Sequence, residues 1–146
     1  MLTPNDTFTM DYTVAPGHTV GDILPEAAEF TALPDVFTTG CLLAIMEWAC
    51  IRQLNPHLGE GQISLGVGMT MTHDAPCTTG ARLVIECTPT QVTEKFVTWE
   101  VEVRAADTAV VMGRGTHTRA IVAREKFSAA VNRAAPELGG EQLRNP

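Results

Sequence analysis

The 146-residue chain contains no lysine or arginine before Arg52. That opening stretch nevertheless carries seven acids: Asp6, Asp11, Asp22, Glu26, Glu29, Asp35 and Glu47. Residues 52–146 balance ten acids against ten bases, so the net charge of −7 arises wholly from the first 51 residues. A chain without a basic stripe is not expected to bind nucleic acid. An anionic ligand would have to find its cations downstream, among Arg82, Lys95, Arg104, Arg114, Arg119, Arg124 and Lys126. No apolar run approaches the roughly 20 residues that span a bilayer, so no membrane partner is expected. The start, MLTPNDTFTMDY, lacks the basic and apolar regions of a secretory signal, and the expected location is cytoplasmic. The four cysteines (Cys41, Cys50, Cys77, Cys87) form no CxxC pair, and histidines 18, 57, 73 and 117 are scattered. No metal site is expected from such spacing.

What is present suits one globular unit. Hydrophobic residues make up 45% and charged residues 18%, an ordinary balance. The expected organisation is a single domain over residues 1–135 and a disordered tail over 136–146. Phe8 to Val14 reads as a first strand, turned by Pro16-Gly17. Val20 to Phe30 mixes apolar residues with Asp22, Pro25, Glu26 and Glu29, as a short broken helical segment that packs like a lid. Val36 to Leu54 predicts a long apolar helix, with Asp35, Thr38 or Thr39 as N-cap and Asn55-Pro56 as its stop.

Four strand-like runs follow: Ile63–His73, Arg82–Val92, Phe96–Arg104 and Val110–Val122. The first would place Ile63, Leu65, Val67, Met69 and Met71 on one face. The third sets Val97, Trp99, Val101 and Val103 against Thr98, Glu100, Glu102 and Arg104. A terminal helix is predicted over Arg124–Arg133. One helix between a first strand and a meander predicts an α+β fold in which an antiparallel sheet wraps around the helix, the hot-dog arrangement. A helix apolar nearly all round fits such enclosure.

Within that helix Glu47 stands out. It sits among Leu42, Leu43, Ile45, Met46, Trp48 and Ala49, where an unpaired carboxylate costs several kcal/mol. It must be paired, protonated or chemically employed. Thr39 lies eight residues earlier, about 12 Å along a straight helix, so the two side chains cannot hydrogen-bond along it. His73, beside Asp74, is a strand-end base or a solvated residue. Gly66 and Gly68 mark a bulge or a close backbone approach. In GRGTHTR, His117 and Arg119 share a strand face, and Arg119 can bind a phosphate, hold a carboxylate or serve as a surface cation.

These residues carry a resemblance. PEAAEF and LPDVFTTG (25–40), MEWAC (46–50), SLG (64–66), Thr72-His73, GTHTRA (115–120) and EKF (125–127) occur in order over most of the domain. The chain thereby resembles the fluoroacetyl-CoA thioesterase family of hot-dog proteins. The resemblance implies hydrolysis of a short acyl-CoA thioester, with Thr39, Glu47 and His73 catalytic. It also implies Gly66 and Arg119 at the substrate, a homodimer with sites at the subunit seam, and no metal or redox cofactor, coenzyme A being part of the substrate. An apolar lid of Val20, Ile23, Leu24, Phe30 and Leu33 would cover the acyl group. The fluoroacetate-selective member has phenylalanines at both lid positions where this chain has Phe30 and Leu33, with Leu24 nearby. That departure implies altered or broader acyl selectivity. The alternatives from other classes are a non-catalytic acyl-CoA-binding hot-dog protein and a hot-dog hydratase or dehydratase.

Overall fold

The computed structural model describes residues 1–144. Five strands form one antiparallel sheet: β1 (Phe8–Thr13), β2 (Gln62–Met71), β3 (Arg82–Val92), β4 (Phe96–Ala105) and β5 (Val111–Ala123), in the order β1-β3-β4-β5-β2. Two short turns of helix, α1 (Val20–Ile23) and α2 (Ala28–Thr31), form the broken segment before the long helix α3 (Thr39–Leu54). A 3-10 turn at Asn55–His57 ends α3, where Pro56 denies the helix a donor. This is the hot-dog arrangement, with α3 touching all five strands.

The alternation in β4 decides which side of the sheet meets the helix. Val97, Trp99, Val101 and Val103 are buried, while Glu100 faces solvent. Leu42, Ile45, Met46, Ala49, Cys50 and Leu54 are buried on α3 at helical spacing and pack into the same core. Each large side chain so enclosed contributes about 1.5–3 kcal/mol. The expectation of a helix enclosed nearly all round needs correction. The sheet takes one face only, and Ala44 and Trp48 on another face are exposed, Trp48 at 47%.

A second correction concerns β2. The pairing with β5 runs Gly66 opposite Arg119 and then Gly68 opposite Thr118, so Val67 is an extra residue with no partner in the register. A bulge of one residue reverses the side-chain parity of a strand. Ser64 and Gly66 therefore share a face with Met69 and Met71, and Ile63 and Leu65 do not. Val67, expected on one face with Met69 and Met71, is 58% exposed. The bulge turns a polar residue and a bare backbone toward α3.

The chain end also departs from expectation. Helix α4 spans Arg124–Leu138, past the predicted Arg133 and through Pro136. It stops at Gly139, whose φ of 72° is the left-handed conformation that closes a helix. The predicted tail from 136 thus begins inside a helix; its last two residues, 145–146, lie outside the described residues.

Candidate active site

Thr39 is the first residue of α3, following Thr38 in extended conformation. Its hydroxyl does not cap the helix. Instead Thr39 Oγ1 lies 2.8 Å from His73 Nδ1. His73 sits just past the end of β2, on a segment drawn against β5 by hydrogen bonds from Thr72 N to Arg114 O and from Asp74 N to Met112 O, both 2.7 Å. Gly113 makes that approach possible. A side chain there would strike the Thr72 carbonyl and come within 3.1 Å of Leu42 Cδ2. Asp74 does not serve His73: its carboxylate accepts from the Thr72 hydroxyl at 2.8 Å. The remaining ring nitrogen, His73 Nε2, is buried with no hydrogen-bond partner among the described residues. A hydroxyl joined to an imidazole is the arrangement in which the ring can take up or supply a proton.

Thr39 also lines a cleft of about 610 Å³ beneath the lid. All five predicted lid residues, Val20, Ile23, Leu24, Phe30 and Leu33, line it together with Gly40. Ile23 Cδ1 lies 3.4 Å from the position a Cβ on Gly40 would take. The lid root is fixed by Thr19, which bridges to Phe37 and donates its hydroxyl to Asp22 at 2.9 Å.

Glu47 occupies a second cluster, two turns further along α3. Its Oε2 is 3.3 Å from Arg119 NH1 and 3.6 Å from His117 Nε2, and its side chain remains 38% exposed. Gly66 faces it across the gap opened by the bulge. Arg119 is 5% exposed, which rules out the surface-cation reading. Its Nε donates to Ser64 Oγ and its NH2 to the Ser64 carbonyl, both at 2.8 Å. Burial pulls the Arg119 guanidinium below its ordinary range, and the Glu47 carboxylate opposes that shift; the group stays a cation. Burial likewise pushes His117 down from its ordinary value, partly countered by its bond to the Gly68 carbonyl.

One chain thus unites Thr39 with His73 and the lid, and unites Glu47 with Gly66 and Arg119. It does not bring the two clusters into hydrogen-bond contact. Sequence reasoning left Ser64 and His117 outside the site. The parity shared by His117 and Arg119 in GRGTHTR was the available signal for one. For Ser64 the signal was the GVG bulge that reverses its strand.

Comparison with known proteins shows the family to which the chain belongs. Residues 22–125 match the family model described as fluoroacetyl-CoA-specific thioesterase. The fluoroacetyl-CoA thioesterase of Streptantibioticus cattleyicolor is 38% identical over 129 residues, which is 88% of this chain and 91% of that protein. The solved structure of the fluoroacetyl-CoA thioesterase FlK superposes with a TM-score of 0.86 at 34% identity, covering 91% of this chain and 97% of that one. A single-residue variant of FlK, solved with fluoroacetate and CoA, gives a TM-score of 0.81 at 35% identity over 86% of this chain and 99% of its own. The chain belongs to the fluoroacetyl-CoA-specific thioesterase family and is a thioester hydrolase.

Proposed function

We propose that the protein hydrolyses short-chain acyl-CoA thioesters to the free acid and CoA in active sites completed by two copies of the chain. The observation that carries this reading is Thr39, which lines a lidded apolar cleft and lies 2.8 Å from His73 Nδ1. A thioester carbonyl needs a nucleophile, a group that stabilises the developing oxyanion and a proton for the leaving thiolate. Glu47 supplies a carboxylate that attacks or activates water. Thr39 orients the reacting oxygen, and His73 manages the proton. No cofactor enters this chemistry, since CoA is part of the substrate.

The homodimer is supported by what one copy leaves open. Trp48 is exposed beside Glu47 on α3, and β2 ends the sheet without a neighbour on its outer side. A twofold axis along that edge would extend the sheet and bury the helix face. It would also carry the Glu47 cluster of one copy toward the Thr39–His73 pair of the other. Four free thiols suit a reducing compartment, which supports a cytoplasmic location.

The lid is aliphatic apart from Phe30, and Leu33 is 54% exposed at the cleft. We therefore take the substrate range to include unfluorinated short acyl groups. Thiol release from fluoroacetyl-, acetyl- and propionyl-CoA tests the function. A thioesterase frees CoA from at least one of them. Intact thioesters throughout would overturn the reading in favour of a binding protein or a hydratase.

A further inference from the structure

His117 is 1% exposed and lies between three elements: β2, Trp99 of β4 and α3. Its Nδ1 is 2.9 Å from the Gly68 carbonyl oxygen. A carbonyl only accepts, so Nδ1 carries the proton. In the neutral ring Nε2 is then a lone pair, and Arg119 NH1 lies 3.2 Å from it as donor. The tautomer follows from bonding alone. The ring plane is fixed as well: it stacks on Trp99 with centroids 6.2 Å apart and planes 22° from parallel. Trp99 is itself held by a bond from Nε1 to Gln53 Oε1 of 2.8 Å.

The guanidinium of Arg119 therefore has three fixed neighbours besides the carboxylate: the Ser64 hydroxyl, the Ser64 carbonyl and His117 Nε2. Only the Glu47 side of this cradle is a group on a flexible stem. We propose that His117 is a positioning residue: held as the Nδ1–H tautomer, it presents a bare Nε2 to Arg119 and so aims the guanidinium that holds the Glu47 carboxylate. The inference rests on Glu47 acting in the hydrolysis proposed above. His117 touches neither the lid cleft nor the Thr39–His73 pair; its bare Nε2 stands 3.6 Å from Glu47 Oε2 but has no proton to donate to it, so its effect passes through Arg119.

Two conservative variants separate its two bonds. The amide nitrogen of Asn occupies the place of Nδ1 and keeps the donor to Gly68, leaving Arg119 without an acceptor. The amide oxygen of Gln occupies the place of Nε2 and keeps the acceptor for Arg119. We expect His117→Asn to lose about tenfold or more in kcat with KM changed by less than about threefold, and His117→Gln to keep kcat within about threefold of the unmodified enzyme. Equal losses in both variants, or full activity in His117→Asn, would overturn the proposal. Nitrogen-15 NMR of histidine-labelled enzyme near neutral pH reads the tautomer with no substitution at all. A protonated Nδ1 and bare Nε2 at His117 are expected; an Nε2–H ring or an imidazolium overturns it. Failure of the Glu47 assignment would show separately, as undiminished thiol release by Glu47→Gln, and failure of the hydrolysis reading as no thiol release by the unmodified enzyme.

Discussion

Gly66 and Glu47 face each other so closely that a methyl group on Gly66 would lie 2.7 Å from Glu47 Oε2. The same methyl would stand 3.4 Å from both Arg119 NH1 and His117 Cε1. The bare backbone leaves the carboxylate its position. Gly66→Ala forces the end of a flexible side chain to move, not the backbone. Thermal stability should therefore hold within a few degrees while kcat falls by about tenfold or more, as misplacement of a reacting group predicts. Paired melting curves and thiol-release kinetics check this; unchanged kcat would mean that the position of the carboxylate is immaterial.

Removing the charge while keeping the shape tests Glu47 directly. Glu47→Gln retains a hydrogen-bonding end next to Arg119 NH1 and should fold normally. Hydrolysis is expected to fall by at least about 100-fold, the scale of a lost acid–base group or more. Circular dichroism alongside the kinetics separates chemistry from folding.

If two copies complete each site, two dead enzymes should revive each other. Glu47→Gln and His73→Ala disrupt different clusters of the same chain. In a mixed twofold dimer, one of the two sites carries both defects and the other carries none. Unfolding and refolding the variants together should restore about a quarter of the unmodified activity. Recovery of none would place both clusters' work within one subunit.

The lid predicts a change in acyl preference. Leu33→Phe adds bulk at the cleft that Val20, Ile23 and Phe30 also line. The ratio of kcat/KM for propionyl-CoA to that for acetyl-CoA should fall by about tenfold, the discrimination that one methylene allows in a tightened pocket. An unchanged ratio would show that Leu33 does not contact the acyl group.

His117 also predicts a response to acid. Burial holds its folded-state value below the ordinary 6.5. As pH falls through that value the unfolded chain takes up a proton that the folded chain refuses, so stability declines. Above it both states are neutral at this ring and the contribution is flat. Urea midpoints measured across this window should drop on acidification, and the drop should be shallower in His117→Gln, which has no such ring.

The strands and the long helix were legible because their periodicities are strong. Val97, Trp99, Val101 and Val103 alternate without interruption, and Glu47 is conspicuous among apolar neighbours. The β2 faces were misread because strict alternation was carried through Gly66–Gly68. A bulge announces itself in sequence only as glycines that weaken a strand. The pairing of Thr39 with His73 spans 34 positions and depends on Gly113 letting one segment settle against another. No local pattern encodes such a contact. The open face of α3 was hidden for a similar reason, because Trp48 reads as core until the reach of the sheet is known.

The single supernumerary residue at Val67 gives β2 two halves that keep different time. The half before it presents Ser64 and Gly66 to the acid on α3; the half after it packs Met69 and Met71 against the core and leads to His73. Deleting Val67 would restore a regular strand and put the halves in phase. One of them would then have to turn its contents to the wrong side. The strand can lose Val67 only by surrendering either its grip on Arg119 or its methionines, which makes this exposed, unpaired valine harder to remove than to replace.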